Sequence, residues 1–274
     1  MSHIATRRDF IRRTLKIGAV ATAGVAGAAG VASLRPQPLF AETPKTFEWP
    51  WPYTKLDPEM GRKLGHDSYW SGKGCSYAGF HGIAGLLREA VGEPYTSLPS
   101  EIMIYGHGGG VGWGMLCGAI NGPAALISLV CEKKVADVLV SELFGWYTQT
   151  PLPTDLANQY GVEKKYGVNK FDQAIPACAS GSPLCHVSSS TWCNENGEEI
   201  TCLQRKERCA RLTGDSVAHA IQLLNAHFDG TFKSTFVMPE STATCNSCHG
   251  ANGEKVDALT KMNCLQCHED HNKS

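Results

Sequence analysis

Two five-residue groups near the C-terminus combine a pair of thiols with an imidazole. Both follow the pattern Cys-x-x-Cys-His, and they are Cys245-Asn-Ser-Cys248-His249 and Cys264-Leu-Gln-Cys267-His268. In this motif the two thiols add to the vinyl groups of a porphyrin, and the histidine binds the iron from the proximal face. We therefore predict two haems c, attached through these four thiols, with His249 and His268 as the proximal ligands.

A four-cysteine zinc site is the main alternative for the same residues. The spacing of two Cys-x-x-Cys pairs separated by 15 residues fits zinc as well. Each second cysteine is followed at once by a histidine, however, which haem attachment requires and a four-cysteine zinc site does not. An exported chain also favours haem over a structural zinc ribbon.

A second histidine on each iron would complete a low-spin electron carrier, whereas a vacant position would indicate catalysis. We predict His81 and His107 as these distal ligands. His81 falls on the first predicted core helix, and His107 in a glycine-rich turn where the backbone permits close packing. His66 is the next candidate, because it ends a segment that could reach another subunit.

The N-terminal residues 1–41 are predicted to be an export signal. Arg7 and Arg8 precede Asp-Phe-Ile, and a short run rich in glycine and alanine follows up to a Pro-containing stretch ending at Ala41. The paired arginines are typical of twin-arginine export, which predicts a periplasmic protein. A membrane helix is the alternative, but the run is diluted by four glycines. We expect no stable membrane insertion once the signal is removed.

Composition and charge narrow the function classes. Removing residues 1–41 would leave 19 basic and 25 acidic residues, a formal charge of −6. Such a surface does not favour binding to nucleic acid, so we expect no nucleic-acid partner. We expect redox proteins as partners instead.

Eight further cysteines lie upstream of the two motifs. They are Cys75, Cys117, Cys131, Cys178, Cys185, Cys193, Cys202 and Cys209. Disulfides such as Cys193–Cys202 or Cys178–Cys185 are one interpretation in an oxidising compartment. An iron–sulfur cluster is the other. Twin-arginine export carries folded proteins, whereas c-haems are attached after export, so this route favours a second cofactor inserted in the cytoplasm.

The elements that must position these residues are predicted to be mostly α. Residues 42–70 are rich in Trp and Pro and are predicted to form an extended arm. Residues 71–233 show helical periodicity and form a core with a final helix over 205–228, but residues 176–203 lack periodicity and are predicted to be a loop. Residues 234–274 form a small haem-binding module of little regular structure.

The core resembles a known redox-active family named for its C-GCAxxG-C-C pattern. The matching residues are Gly74-Cys75-Ser76-Tyr77-Ala78, Gly108 to Gly110 through Leu116-Cys117-Gly118-Ala119, and Cys209 at the opening of the last helix. Gly72 stands where the pattern has its first cysteine, and Ser141 replaces another cysteine that the family usually has. Joined to two C-terminal Cys-x-x-Cys-His motifs, this core is similar to the split-Soret cytochromes c of sulfate-reducing bacteria.

That resemblance implies a homodimer with two closely stacked haems per subunit. It also implies bis-His ligation, with one histidine crossing from the partner subunit, and an iron–sulfur centre in the core. The cluster ligands implied are Cys117, Cys185, Cys193 and Cys209, with Cys75 in reserve.

The sequence thus indicates a periplasmic dihaem c-type cytochrome that transfers electrons, more an electron carrier than an enzyme. Two other functions stay open at this point. One is a small-molecule reductase that uses an open haem or the cluster. The other is an electron-transfer subunit that docks on a larger oxidoreductase through the Trp/Pro arm.

Overall fold

The computed structural model describes residues 46–271, so the predicted export signal over 1–41 lies outside the described residues. The chain is mostly α, as predicted, and residues 46–271 contain isolated β-bridges but no strand. The α-helices are α1 (Pro58–Ser68), α2 (Cys75–Ala90), α3 (Gly118–Val130), α4 (Lys133–Gln149), α5 (Asp155–Val162), α6 (Cys185–Asn196), α7 (Leu203–Phe228) and α8 (Glu240–His249). A π-helical turn over Tyr69–Lys73 follows α1, and 3₁₀ turns cover Ser100–Gly106 and Cys264–Gln266.

Helix α7 is the centre of the core, because α1, α2, α3 and α4 all pack against it. Its apolar stripe, which the sequence predicts from 3–4 residue spacing, is buried at Leu212, Val217, Ile221 and Leu224. Phe228, the last residue of that stripe, is instead 48% exposed and stacks on Tyr53. The core helices are therefore held around one long helix that also carries Cys209.

The prediction of an extended arm over 42–70 is wrong beyond Asp57. The side chain of Asp57 accepts a hydrogen bond from the amide of Glu59 at 2.8 Å, and Pro58 occupies the first helical turn. Both are helix-start signals, so α1 begins here despite the prolines upstream. Residues 46–57 do form an arm without helix, and it packs on the chain's own core: the Trp51 amide donates to the Leu129 carbonyl at 2.8 Å.

The prediction of a loop over 176–203 is also wrong in part, since α6 occupies Cys185–Asn196. The helix is rich in serine and threonine and shows almost no amphipathic pattern, which is why periodicity misses it. It ends at Gly197, whose φ of 64° is the left-handed conformation that glycine adopts most readily at a helix end. Within residues 46–271, no helix has the length and apolar character needed to cross a membrane.

Acid should destabilise the core through His219, which lies on α7 and stacks on Trp146 of α4 at 4.2 Å. Burial lowers the pKa of His219 from 6.5 to about 4. The unfolded chain therefore takes up this proton first, and stability present above pH 6.5 is lost as the pH falls towards 4. The shift corresponds to about 3 kcal/mol.

We expect His219→Phe, which keeps a ring against Trp146, to abolish that part of the acid sensitivity. Denaturant unfolding at pH 7 and pH 4 measures it, and the comparison of pH 7 with pH 8 is the control, because the variant and the wild type should change equally there. An equal loss between pH 7 and pH 4 in the variant and the wild type would refute this role for His219.

Candidate functional site

Four thiols from four different elements line one cavity of about 280 Å³ in the core. Cys75 opens α2, Cys117 caps α3, Cys185 opens α6, and Cys209 lies in the second turn of α7. Three of these are among the cluster ligands that the family resemblance implies. The fourth thiol that lines the cavity is that of Cys75, the reserve candidate.

A short antiparallel bridge brings Cys117 and Cys185 together across 68 residues of sequence. Leu116 pairs with Leu184, the Cys117 amide donates to the Pro183 carbonyl at 2.9 Å, and the Cys185 amide donates to the Met115 carbonyl at 2.7 Å. The bridge fixes where α6 starts. It therefore places a cysteine from the irregular part of the chain beside one from the helical core.

A glycine allows Cys75 to approach Cys117. A Cβ atom built on Gly118 would lie 2.4 Å from the Cys75 sulfur, closer than any side chain could sit. The Cys117-Gly118 pair in the sequence thus has a physical reason, since only glycine leaves room for the thiol of α2 at the start of α3.

The surroundings favour the protonated form of two of these thiols, Cys75 and Cys117. Burial raises the pKa of Cys75 to about 12, and neighbouring Cys117 and Cys209 add to the shift. The pKa of Cys117 lies well above its usual value, chiefly because of its hydrogen bond with Cys185, and the same bond lowers the pKa of Cys185. Binding of iron by such thiols would release protons and couple the site to folding.

Two arginines of α7 face this cavity. Arg205 directs Nη1 to the sulfur of Cys209 at 3.8 Å. Arg208 is 1% exposed and donates through Nη2 to the Ser188 hydroxyl at 3.2 Å. Its Nε and Nη1 atoms are buried and have no hydrogen-bond partner among the described residues. The cavity therefore combines thiols with positive charge.

Cys193 does not line this cavity, although the resemblance implies it as a ligand. It belongs to a separate small apolar cluster with Cys178, Trp192 and Ile175, against which Cys202 packs. The pairing Cys178–Cys185 considered from the sequence would have to join this cluster to the four-thiol cavity. No disulfide joins any of the twelve cysteines, all of which lie within residues 46–271.

The first Cys-x-x-Cys-His motif lies in the last turns of α8, and the second occupies the 3₁₀ turn and the residues after it. Together they border a cavity of about 470 Å³ that is lined by Cys245, His249, Cys264, His268 and His271, among others. The remaining motif thiols, Cys248 and Cys267, are exposed. The module thus presents both histidines predicted as proximal ligands to the same space.

Nδ1 of His249 lies 2.7 Å from the Asp257 carboxylate. A carboxylate at Nδ1 fixes the ring with its proton on that nitrogen and leaves the Nε2 lone pair free for a metal. The same contact lowers the pKa of Asp257. The arrangement is therefore that of a histidine ligand with a supporting carboxylate, and the sequence alone gives no signal for Asp257.

Neither the motif cysteines of the tail nor the four thiols of the core form a closed metal site as they stand. Within residues 46–271, no group of three or more His, Cys, Asp or Glu side chains is gathered closely enough to hold a metal ion as it stands. A four-cysteine zinc site needs its thiols converged on one point about 2.3 Å from each sulfur. Several apolar side chains of the module are exposed instead, including Val237 at 76%, Val256 at 59% and Leu259 at 100%.

Glu142 of α4 anchors the linker that leads to the module. Its carboxylate accepts hydrogen bonds from the Ser234 hydroxyl at 2.5 Å, from the amide and hydroxyl of Thr235 at 2.8 and 2.9 Å, and from the Phe236 amide at 2.9 Å. These bonds outweigh the burial of Glu142 and lower its pKa. Phe236 packs against Gly145, one turn further along α4.

We expect Glu142→Gln to loosen this attachment by about 2 kcal/mol, because the new amide group would face donors and leave them unsatisfied. Hydrogen exchange at residues 234–236 measures the effect. Asp137→Asn, on the exposed side of the same helix, is the matched control and should leave exchange there unchanged. Equal protection of the linker in Glu142→Gln and wild type would show that the carboxylate does not hold it.

Neither predicted distal ligand lines the cavity of the haem motifs within this chain. Nδ1 of His81 accepts from Arg88 at 3.2 Å, so the proton of the neutral ring lies on Nε2. Burial and the nearby Arg88 lower the pKa of His81. His107 is exposed and lies at the mouth of the four-thiol cavity.

His66, the third candidate from the sequence, is fully buried and already engaged. Its Nδ1 lies 3.0 Å from Asp67, its Nε2 lies 2.9 Å from Glu207, and its ring stacks on Tyr166. Burial opposes protonation, but the two carboxylates raise the pKa of His66 above its ordinary value. This histidine belongs to the polar network between α1 and α7 and cannot reach an iron.

A mostly helical core with a four-thiol cavity, joined to a tail with two haem-attachment motifs, defines a redox protein of the cytochrome c class. Comparison with known proteins agrees. The family described as "Putative redox-active protein (C_GCAxxG_C_C)" matches residues 77–223. The chain is 40% identical to split-Soret cytochrome c of Desulfovibrio desulfuricans over 222 residues, which cover 80% of this chain and 77% of the relative.

A solved structure of split-Soret cytochrome c from D. desulfuricans ATCC 27774, described as having a novel iron centre, superposes with a TM-score of 0.71. It is 39% identical and the match covers 80% of this chain and 90% of that one. The chain belongs to the split-Soret cytochrome c family. The resemblance read from its motifs is confirmed.

Proposed function

We propose that this protein is an exported electron carrier with two haems c and an iron–sulfur cluster held by Cys75, Cys117, Cys185 and Cys209. The observation that carries the cluster is that these four thiols line one cavity of the core. Four thiolates are the usual ligand set of such clusters. The relative's iron centre, by its description, is a second support.

The residues of the core fit an iron–sulfur group in charge as well as in ligand type. A cluster bound by four thiolates is negatively charged, and Arg208, which lines this cavity, has two buried donors without a partner among the described residues. When bound, the cluster supplies a centre that accepts and releases one electron. The chain's own contribution is to hold the four thiols, exclude water and provide the positive charge.

The residues of the tail fit two haems. His249 is oriented by Asp257 with Nε2 available, and the motif thiols Cys248 and Cys267 are accessible to a porphyrin. The exposed apolar side chains of the module would be covered by a macrocycle of this kind. When bound, the haems supply iron that cycles between two oxidation states, and the chain positions it through His249 and His268.

Distal ligation by two histidines stays part of the proposal. His107 is exposed and can meet a second chain, which agrees with a histidine that crosses between subunits of a homodimer. His81 binds iron through Nε2 in this proposal after the ring proton moves from Nε2 to Nδ1, and Arg88 then turns away from Nδ1. His271, which the sequence analysis did not choose, lines the same cavity as His249.

Visible and electron paramagnetic resonance spectra of the holoprotein test this function. We expect low-spin haem in both oxidation states and no binding of carbon monoxide by the reduced protein. A high-spin band or carbon monoxide binding would contradict the carrier and favour the reductase. His107→Ala and His271→Ala are compared, and the variant that gains high-spin haem identifies a distal ligand.

We further propose a periplasmic location reached by the twin-arginine route, and a homodimer that exchanges electrons with other redox proteins. The paired Arg7 and Arg8 support the route. The segment before α3 supplies exposed apolar surface suited to contacts with protein, at Ile102, Tyr105, Val111, Trp113 and Met115. The Trp/Pro arm is less suited to docking on a larger oxidoreductase, because Trp51 and Tyr53 bind the chain's own core.

A further inference from the structure

We propose that Arg208 is the charge partner of the iron–sulfur cluster, donating hydrogen bonds to its sulfur atoms and raising its reduction potential. This inference rests on the proposed cluster in the four-thiol cavity. It starts from a contrast between two buried arginines one turn apart on α7.

Arg211 shows how this fold satisfies a buried guanidinium. It is fully buried, pairs through Nε with Glu207 at 2.9 Å, and donates through Nη1 to Asn158 at 2.8 Å and through Nη2 to the Phe171 carbonyl at 2.7 Å. A carboxylate and neutral oxygens thus surround its charge. Such complete pairing is what a buried charge requires.

Arg208 lacks this pairing. It is buried to the same degree, but its only hydrogen bond among the described residues is from Nη2 to Ser188 at 3.2 Å, and it forms no ion pair with a carboxylate there. A buried cation with unsatisfied donors is unfavourable unless an anionic acceptor lies beside it. Since Arg208 lines the four-thiol cavity, that acceptor would be what the thiols hold.

The surrounding side chains hold Arg208 in a fixed orientation. Its guanidinium lies 5.9 Å from the centre of the Trp192 ring, and Ser188, which accepts from Nη2, also accepts from the Tyr147 hydroxyl at 2.8 Å. Tyr147 in turn is hydrogen-bonded with Cys117. Ser188 therefore holds Nη2 and Trp192 packs against the guanidinium group, so Nε and Nη1 are the donors that remain for sulfur acceptors.

Reduction of the cluster adds one electron and no proton at Arg208, because a guanidinium stays protonated in proteins. The electron comes from the titrant, or from a haem iron that is oxidised in the same step. The added negative charge is stabilised by a fixed cation nearby, so the arginine favours the reduced form. Removing the charge should shift the equilibrium towards the oxidised form.

The test is a potentiometric titration of the holoprotein with dithionite, followed by electron paramagnetic resonance of the cluster. In Arg208→Met, which keeps the bulk of the side chain, we expect the ratio of reduced to oxidised cluster at the wild-type midpoint to fall at least about tenfold, 59 mV for one electron. Arg208→Lys retains the charge and should shift less. Lys206→Met, which removes an exposed charge from the same helix, should not shift.

Iron and acid-labile sulfide are measured in every variant, so that loss of the cluster is distinguished from a change in its potential. An unchanged midpoint in Arg208→Met at wild-type iron and sulfide content overturns the inference and leaves the proposed function intact. Loss of sulfide from Arg208→Met but not from Arg208→Lys supports a requirement for charge. Loss from both shows a structural role and overturns it. Wild-type protein without sulfide refutes the proposed cluster itself.

Discussion

Cys75→Ala is expected to abolish the iron–sulfur cluster, whereas Cys193→Ala is expected to keep it. Cys75 lines the four-thiol cavity and approaches the start of α3 over Gly118. Cys193 lies in the separate cluster around Trp192. A cluster is held in the protein by four thiolates, so we expect a chain that lacks one of them to lose the whole cluster, iron and sulfide together, during purification.

The two variants are matched, because Cys75 is 8% exposed and Cys193 is 7% exposed. Each removes one buried thiol and should destabilise the fold to a similar extent, on the order of 1–2 kcal/mol. Acid-labile sulfide per chain measures the difference, which we expect to be at least about tenfold. Loss of sulfide in Cys193→Ala with retention in Cys75→Ala would restore the ligand set that the family resemblance implies.

The double variant Cys264→Ala, Cys267→Ala should retain one of the two covalent haems. Thioether bonds hold the haem to the chain, so without both thiols the second motif cannot attach it, while Cys245 and Cys248 still attach the first. The mass of the denatured protein should fall by one haem. We also expect faster proteolysis around Leu259, whose exposed side chain the haem would no longer cover.

The control removes two thiols from the core instead. Cys178→Ala, Cys202→Ala takes away two cysteines of the separate cluster and should leave the haem count at two per chain. If the tail variant loses zinc rather than haem, or keeps both haems after denaturation, the assignment of the second motif is wrong.

The sequence predicts best where one physical rule acts alone. Helix α7 follows from apolar spacing over 26 residues, and its bounds are within two residues of the prediction. Helix α6 does not follow, because its serines and threonines have no apolar face and its start is set by the bridge from Leu116 to Leu184. Helix α1 could have been predicted, since Asp57-Pro58 is a recognised helix start.

The residues of the candidate site also differ in how far the sequence predicts them. The haem motifs are local, so the sequence alone predicts a full set of attachment residues. The four-thiol cavity joins α2, α3, α6 and α7, and no spacing rule could choose Cys75 over Cys193. The sequence gives still less sign of Asp257 and Arg208. Asp257 is recognised only by its contact with His249, and Arg208 only because two of its buried donors have no partner among the described residues. His66 looks like a free ligand in the sequence and is buried between two carboxylates.

The most direct test of the account is the iron, acid-labile sulfide and covalent haem content of the native protein purified after export. The account predicts two haems per chain, iron in excess of haem, and sulfide equal to that excess. Iron equal to haem with no sulfide would contradict it, and would leave the four thiols of the core as ordinary cysteines.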